Sequence, residues 1–293
     1  MKEKTFKWCI AKTFEPLVKI ISKTWYVKLQ YQFITHKKLN LKDPETYTEK
    51  LQFLRLYTYP KNELVTKCAG RVGVREYLKD NGLENLLIPI YGVFDRFEDI
   101  DFDKLPSQFV MKCTHASGLN YICLDKNKLD FKNLKKTFKK WLKTNYGKKT
   151  VEMHYAKIKP QIIIEKYLGN APIEYKIHVF NGTAKYMYVV TGRGSDIRYN
   201  NYYIDWKPFN EAQFNHWKTS TNKIDIPTNW NEMVKIAEKL AATFPFVRVD
   251  LYNINGKIYF SELTFTPAKG TLIFDGKNAD EEIGKWLKIS ISK

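Results

Sequence analysis

The segment FVMKCTHASGLNYICLDK (109–126) reads as a strand that delivers Lys112, a loop of small residues, and a second strand. So little side-chain bulk at Thr114, His115, Ala116, Ser117 and Gly118 lets backbone N–H groups approach phosphate oxygens, and a lysine at the strand end adds charge. Alone the signal is weak, because any hairpin uses Ser-Gly, and neither GxxxxGK[ST] nor GxGxxG occurs. In QIIIEKYLG (161–169) three isoleucines make a buried strand and Glu165 stands where the chain leaves it. A carboxylate there can accept from a ribose hydroxyl, and the backbone beside it can read an adenine edge. The plainer alternative is a surface Glu paired with a Lys.

FPFVRVDLYNINGKIYFSELTFTPAKG (244–270) is the most specific stretch. Alternation puts Arg248 and Asp250 on one strand face, Val249 and Leu251 on the other. If the turn is the three residues Ile254, Asn255 and Gly256, then Asn253 pairs with Lys257 and Arg248 lies opposite Glu262. Arg248, Asp250 and Glu262 then share a face, whereas a two-residue turn at Asn255-Gly256 splits the carboxylates. Two acids beside one Arg in an apolar hairpin suit a metal site with a phosphate or oxyanion clamp. The alternative is a surface salt bridge.

These segments need a frame. Residues 1–40 carry nine Lys against Glu3 and Glu15, with apolar residues at roughly helical spacing broken by Pro16. A pair of helices packed on the main body is the plain reading, and a basic amphipathic contact with an anionic membrane is the sharper one. Thr46 is placed to cap a helix running into YTEKLQFLRLY, a further helix is expected over 65–80 up to Asn81-Gly82, and 86–94 is a short strand interrupted by Pro89. After Pro106, short strand-like runs alternate with helical patterns at 132–144 and 231–243, the latter opened by Thr228 or Asn229. Hairpins are signalled at Asn181-Gly182 and Asn255-Gly256. The pattern is α+β rather than a doubly wound parallel sheet.

The chain has 293 residues, with 49 Lys+Arg against 31 Asp+Glu and a formal net charge of +18. That surplus suits an anionic partner, although part of it is ordinary solvated surface. Cys9, Cys68, Cys113 and Cys123 are scattered, which argues against a disulfide scaffold or a structural zinc site. No apolar run approaches a span and the start lacks a signal-peptide core, so the expected location is cytoplasmic. No nucleic-acid-binding pattern is present, which makes a nucleic-acid module the weaker explanation of the charge.

In this order the motifs resemble the ATP-grasp fold, and more narrowly the TupA-like ATP-grasp family, named for teichuronopeptide synthesis and found among cell-surface polysaccharide genes. The resemblance runs from KLNLKDPETYTEKLQFLRLY (38–57) to the C-terminal helix and is most specific in DFDKLPSQFVMKCTHASG and SELTFTP. After the basic helical segment over 1–40, it implies a helical and αβ region over 41–105 and two α+β subdomains, 106–168 and 169–293, clasping ATP. Lys112 then contacts phosphates under the loop of His115, Ala116, Ser117 and Gly118. Glu165 binds ribose, and Lys166, Tyr167 and Leu168 present backbone to adenine. Lys176 reaches the terminal phosphate, Asp250 and Glu262 bind one or two magnesium ions, and Arg248 stands over the transferred phosphoryl. Thr264 replaces the usual Asn as a weaker metal ligand. Gly70-Arg71 replaces an Asp-Lys pair, leaving Arg71 as a phosphate contact.

The chemistry implied is ADP-forming carboxylate–amine ligation through an acyl phosphate. An acidic sugar, nucleotide sugar or glycan would be acceptor, joined to an amine or amino acid. The expected acceptor loop is 191–206, where Arg193 and Arg198 offer forks beside Tyr199, Tyr202, Tyr203 and Trp206; a packed aromatic hairpin is the alternative. Two rival readings are a sugar kinase on the same fold and a glycosyltransferase using Asp101-Phe102-Asp103.

Overall fold

The computed structural model describes residues 17–169, 172–214, 217–220 and 224–291. After a helical stretch at 17–21, α1 (Lys23–Thr35) starts at Ser22, whose hydroxyl accepts from the Trp25 amide at 3.2 Å. Tyr26, Val27 and Tyr31 bury against the body, and the Tyr31 hydroxyl meets Thr48 Oγ1 at 2.8 Å. Packed helix is thus correct for α1; Pro16, Cys9 and the residues around them lie outside the described residues. Thr46 caps α2 (Tyr47–Phe53) in a full capping box with Glu49, and α2 runs into a π-helical turn, Leu54–Thr58.

The single helix expected over 65–80 is two, α3 (Glu63–Ala69) and α4 (Gly73–Asp80). Gly70 lies where a Cβ would come within 3.1 Å of Ile158, and the Arg71 amide donates to the Thr114 carbonyl at 3.1 Å. The helix breaks to make that tie. Buried Arg55 fastens the surrounding pieces: its guanidinium donates to Gln30 on α1, Gln52 on α2, and the carbonyls of Thr150, Val151 and Lys269.

The first sheet contains β1 (Ile90–Phe94), β2 (Phe109–Cys113), β3 (Asn120–Cys123) and β4 (Ile162–Lys166), antiparallel in the order β1-β4-β2-β3. β1 begins only after Pro89. α5 (Phe131–Leu142) packs Leu134 and Phe138 against Phe109, Met111, Ile162 and Ile164, and a short helix α6 (Tyr146–Thr150) follows.

The second sheet is β5 (Glu174–Phe180), β6 (Thr183–Thr191), β7 (Arg198–Tyr203), β8 (Phe246–Ile254) and β9 (Lys257–Thr264), in the order β7-β6-β5-β8-β9. On one face Tyr175, Ile177, Val179, Val247, Val249 and Leu251 pack in a core with Met233, Ile236 and Leu240 of α7 (Trp230–Ala241). Strand alternation leaves Glu174, Lys176 and His178 on the other face, paired in register with Tyr252, Asp250 and Arg248. The C-terminal α8 (Ala279–Trp286) closes against α2, where Asp280 accepts from the Thr48 amide and hydroxyl. Asn229 precedes α7 without capping it, because its side chain bonds Asn253 and the Gly256 carbonyl instead.

Within the expected acceptor loop, 198–203 is the edge strand β7. Tyr199, Tyr202 and Tyr203 pack on Trp217, Trp206 and Phe209 at ring separations of 4.1, 5.3 and 4.2 Å, the packed aromatic alternative. Among the described residues no helix is long and apolar enough to cross a membrane.

Two histidines sit in the core. Desolvation, with Arg55 adding to it, pushes His154 from 6.5 down to about 3, and burial near Arg248 and Lys176 holds His178 well below its ordinary value. The unfolded chain protonates both below about pH 6.5, whereas the folded chain resists, so stability present above that pH is lost as pH falls. Melting temperature should therefore drop between about pH 7 and about pH 5, each histidine contributing up to about 1.4 kcal/mol per pH unit. His154→Phe, which removes two buried nitrogens without partners, should flatten that slope in thermal melts across pH.

Candidate active site

A narrow cleft opens between the two sheets. Ala116 and Ser117 of the small-residue loop and Glu165 line it from the first sheet, Phe260, Ser261 and Glu262 from the second, and Arg71, Arg75 and Tyr155 from the connecting helical segments.

On the first sheet Lys112 Nζ sits 2.5 Å from Glu165 Oε2, with Glu165 buried and Lys112 partly so. Glu165 is thus paired with a Lys, in the interior rather than at the surface. Desolvation would raise its carboxyl, but Lys112, Arg71 and Arg75 outweigh that and hold it below the usual range. The loop after β2 is fixed from outside: Thr114 Oγ1 donates to the Lys159 carbonyl at 2.8 Å, and the His115 ring meets the Thr144 carbonyl at 3.0 Å. His115 is buried as an anchor of the loop, and burial depresses its basicity. Gly118 takes φ +75 at the loop tip with open space around it. Neither residue lines the cleft, in contrast to Ala116 and Ser117. Past Glu165, the Lys166 amide donates to the Pro89 carbonyl at 2.9 Å; Lys166, Tyr167 and Leu168 run on outside the cleft lining.

On the second sheet a connected ion network occupies the polar face. Arg248 grips Asp250 through Nε (2.6 Å) and Nη2 (2.7 Å), and also donates to Tyr188 Oη (2.8 Å) and Thr264 Oγ1 (2.9 Å). Lys176 bonds Asp250 and lies 3.1 Å from Glu174. Glu174 in turn accepts from Arg193 at 2.5 Å and from the Tyr252 hydroxyl at 2.9 Å. Desolvation works against the Lys176 ammonium, but Asp250 overrides it and the lysine stays charged.

Arg248, Asp250 and Glu262 do share a face, by a different route from the expected turn. The turn is the two-residue Asn255-Gly256, both with positive φ, and Ile254 pairs with Lys257. That register alone would split the carboxylates. A β-bulge at Ser261 inserts one residue, so Phe260 pairs with Leu251 but Glu262 pairs with Asp250 and Thr264 with Arg248. Glu262 faces the cleft with 32% of its side chain exposed, 3.5 Å from Arg248 and 3.7 Å from Arg71. Desolvation pushes its carboxyl up, yet Arg71, Lys176, Arg248 and Lys112 hold it at about 2. Lysines from both sheets thus act on one carboxylate.

Arg71, Arg75, Lys112, Lys176, Arg193 and Arg248 are six cations against four carboxylates, Glu165, Glu174, Asp250 and Glu262. Arg71 Nε is buried with no partner. A site with cations in excess and a guanidinium N–H without an acceptor fits a polyphosphate. The oxygen donors Glu262 and Thr264, 3.3 Å apart, and Asp250 opposite, suit magnesium, a hard cation that shares its shell with phosphate and water. Asp250 is the constrained member, because Arg248 and Lys176 already bond it; Glu262 is open. Among the described residues no group of three or more His, Cys, Asp or Glu forms a closed metal cage.

Arg193 belongs to this network and Arg198 does not: its fork holds Asp196 and the Thr219 carbonyl on the sheet edge. Asp101, of the Asp101-Phe102-Asp103 triplet, holds Lys104 at 2.9 Å and caps a short turn away from the cleft. Four members escaped the sequence reading: Glu174, Tyr188, Tyr252 and Arg75. Glu174 had a signal, its spacing of two from Lys176 on a strand, the same alternation that exposed Arg248 and Asp250.

A family model described as TupA-like ATPgrasp matches residues 49–288. The chain belongs to the TupA-like ATP-grasp family. Solved structures of similar fold include the D-alanine–D-alanine ligase of Bacillus anthracis complexed with ATP (16% identity over 69% of this chain and 56% of that one, TM-score 0.44). The L-amino acid ligase of Bacillus licheniformis is similar at 14% identity over 71% of this chain and 45% of that one, TM-score 0.44. The D-alanine–D-alanine ligase of Helicobacter pylori is similar at 15% identity over 83% and 69%, TM-score 0.43. The chain spans a little over half the length of the first of these. Among curated proteins, none matches.

Asp250 is fully buried and neutralises two cations, whereas Glu262 is partly open. Asp250→Asn should cost about 3 kcal/mol or more of stability by leaving buried charge uncompensated. Glu262→Gln, at a carboxylate partly open to solvent, should cost clearly less than Asp250→Asn, both read from denaturant unfolding.

Proposed function

We propose that this protein is an ATP- and magnesium-dependent carboxylate–amine ligase acting on an acidic sugar or substituent of a cell-surface polysaccharide. The observation that carries the catalytic half of the reading is the surplus of cations around a cleft walled by both sheets, with Arg71 Nε buried and awaiting an acceptor. Family membership supplies the reaction class, and the regions 106–168 and 169–293 are proposed as the two subdomains that hold the nucleotide.

In this reading Lys112, Lys176 and Arg71 bind phosphate oxygens, and backbone N–H groups of the 115–118 loop cover them. Glu165, released from Lys112 as that lysine turns to phosphate, accepts from ribose hydroxyls, and the backbone of Lys166, Tyr167 and Leu168 borders adenine. Glu262, Thr264 and Asp250 would hold magnesium, which would offset the negative charge of the phosphates. Arg248, fixed by Asp250 and Tyr188, is oriented before any substrate arrives, so it stabilises the transferring phosphoryl with little reorganisation. The amine then attacks the activated carboxyl carbon and orthophosphate leaves. No side-chain nucleophile is required. Burial pushes the Cys68 and Cys113 thiols up to about 12, which leaves them poor candidates for one.

For the acceptor, Arg193 is the better-supported fork: 45% of its side chain is exposed, and it stands between Gly192 and Gly194, both with positive φ. The +18 charge supports an acidic acceptor as well. Dependence on ATP favours the cytoplasm as the place of reaction.

Lys112→Met should weaken MgATP binding about tenfold or more, since a charge-assisted contact is worth roughly 1.5–3 kcal/mol. Unchanged affinity by titration calorimetry would remove Lys112 from the site. With ATP, magnesium, and panels of amines and uronic acids, phosphate release should require both acid and amine, and mass spectrometry should find a product lighter than its two parents by one water. A product that instead gains a phosphate would replace the ligase with a kinase. Arg193→Ala should raise KM for the acidic acceptor with little change in ATP affinity.

A further inference from the structure

The N-terminal helix carries a surface that neither the cleft nor the ligase reading uses. Of the large apolar side chains exposed among the described residues, six of fourteen fall in the short stretch 17–33: Leu17, Ile20, Ile21, Trp25, Leu29 and Phe33. Ile20 and Ile21 are the extremes, 82% and 74% exposed. Trp25, Leu29 and Phe33 recur every fourth residue and form one stripe of α1, while Tyr26, Val27 and Tyr31 face the core. The stripe is therefore surplus to folding.

Charge identifies what would cover it. Between Glu15 and Asp43 the chain has no acidic residue and six lysines: Lys19, Lys23, Lys28, Lys37, Lys38 and Lys42. Lys19 Nζ donates to the Lys149 carbonyl at 2.6 Å, which brings the basic end of α6, with Lys148 and Lys149, alongside. A second copy of the chain packed isologously on this stripe would set lysines against lysines, a mismatch with no acid to relieve it. A nucleic acid would satisfy the lysines but leave Ile20, Ile21 and Leu29 in water. A surface offering anionic groups above an apolar layer satisfies both.

We propose that the face formed by Leu17, Ile20, Ile21, Trp25, Leu29 and Phe33 seats the protein on an anionic phospholipid bilayer, with α1 in the interface plane and the lysines at the headgroups. The helix is not a loose appendage. Gln30 accepts from Arg55, which also donates to the Lys269 carbonyl just beyond β9. Docking through α1 would thus hold the β9 end of the molecule close to the membrane. The inference does not rest on the ligase reading, and its test needs no turnover.

The test is co-sedimentation of the full chain with phosphatidylcholine vesicles, with and without phosphatidylglycerol, at low and high salt. Light scattering of the protein alone accompanies it. The protein should pellet with phosphatidylglycerol vesicles, remain in solution with pure phosphatidylcholine, and be released by salt. Leu29→Glu combined with Phe33→Glu changes two exposed positions and should lower the partition coefficient at least about tenfold, with the melting temperature retained. Lys23→Gln with Lys28→Gln should reduce binding less and remove part of the salt dependence. Failure to pellet with either vesicle, equal pelleting with both, or unchanged binding by the glutamate variant would each overturn the proposal. So would a stable dimer that the glutamate variant dissolves, since the face would then belong to a second copy.

Discussion

Asp250 is a fully buried carboxylate that holds two cations at once, Arg248 from its own strand and Lys176 from the neighbouring one. A lone ionised carboxylate could not persist there, and two buried cations could not persist without it. The triad therefore stands or falls together. It fixes the alignment of β5 on β8, because a one-residue slip would send Lys176 to the apolar face under α7 and leave Asp250 with Arg248 alone. It also aims Arg248 at Tyr188 and Thr264, and so fixes the direction of its guanidinium.

The same logic repeats on the first sheet, where Lys112 and Glu165 neutralise each other in the free protein. Each proposed phosphate-binding lysine is thus parked on a carboxylate that has its own proposed task once nucleotide is present. This arrangement lets a dense group of cations exist without substrate, and on the proposed function it would confine the reorganisation on binding to two lysine side chains. Arg71 is the exception: no carboxylate holds it within hydrogen-bond distance, and its Nε has no partner. The broken helix at 70–72 is what ties its backbone to the end of β2.

Much of this was legible from alternation alone. In VRVDLY the polar residues fall two apart between apolar ones, so one buried face had to carry Arg248 and Asp250 together. The approximate extents of α5 and α7 and the capping of α2 followed from local rules of the same kind. What was not legible depended on contacts distant in sequence. The bulge at Ser261 leaves no local mark, so the turn and the strand register could not both be read correctly, although the pairing of faces came out the same. The break in the 65–80 helix depends on Ile158 and Thr114, each far along the chain. Arg193 and Arg198 look equivalent in sequence; only the fold puts Glu174 beside one and Asp196 beside the other. Glu174 itself was readable in principle, but a lone Glu at a strand start is common enough to pass unremarked.

On the proposed function, the internal ion pairs exchange for nucleotide phosphate within this cleft. A crystal structure with a non-hydrolysable ATP analogue and magnesium measures that directly. It should show the triphosphate between the 115–118 loop and β9, with Lys112 Nζ moved from Glu165, and Lys176 Nζ from Asp250, onto phosphate oxygens, while Arg248 keeps its grip on Asp250. Nucleotide bound elsewhere, or bound here with both lysines still on their carboxylates, would contradict it.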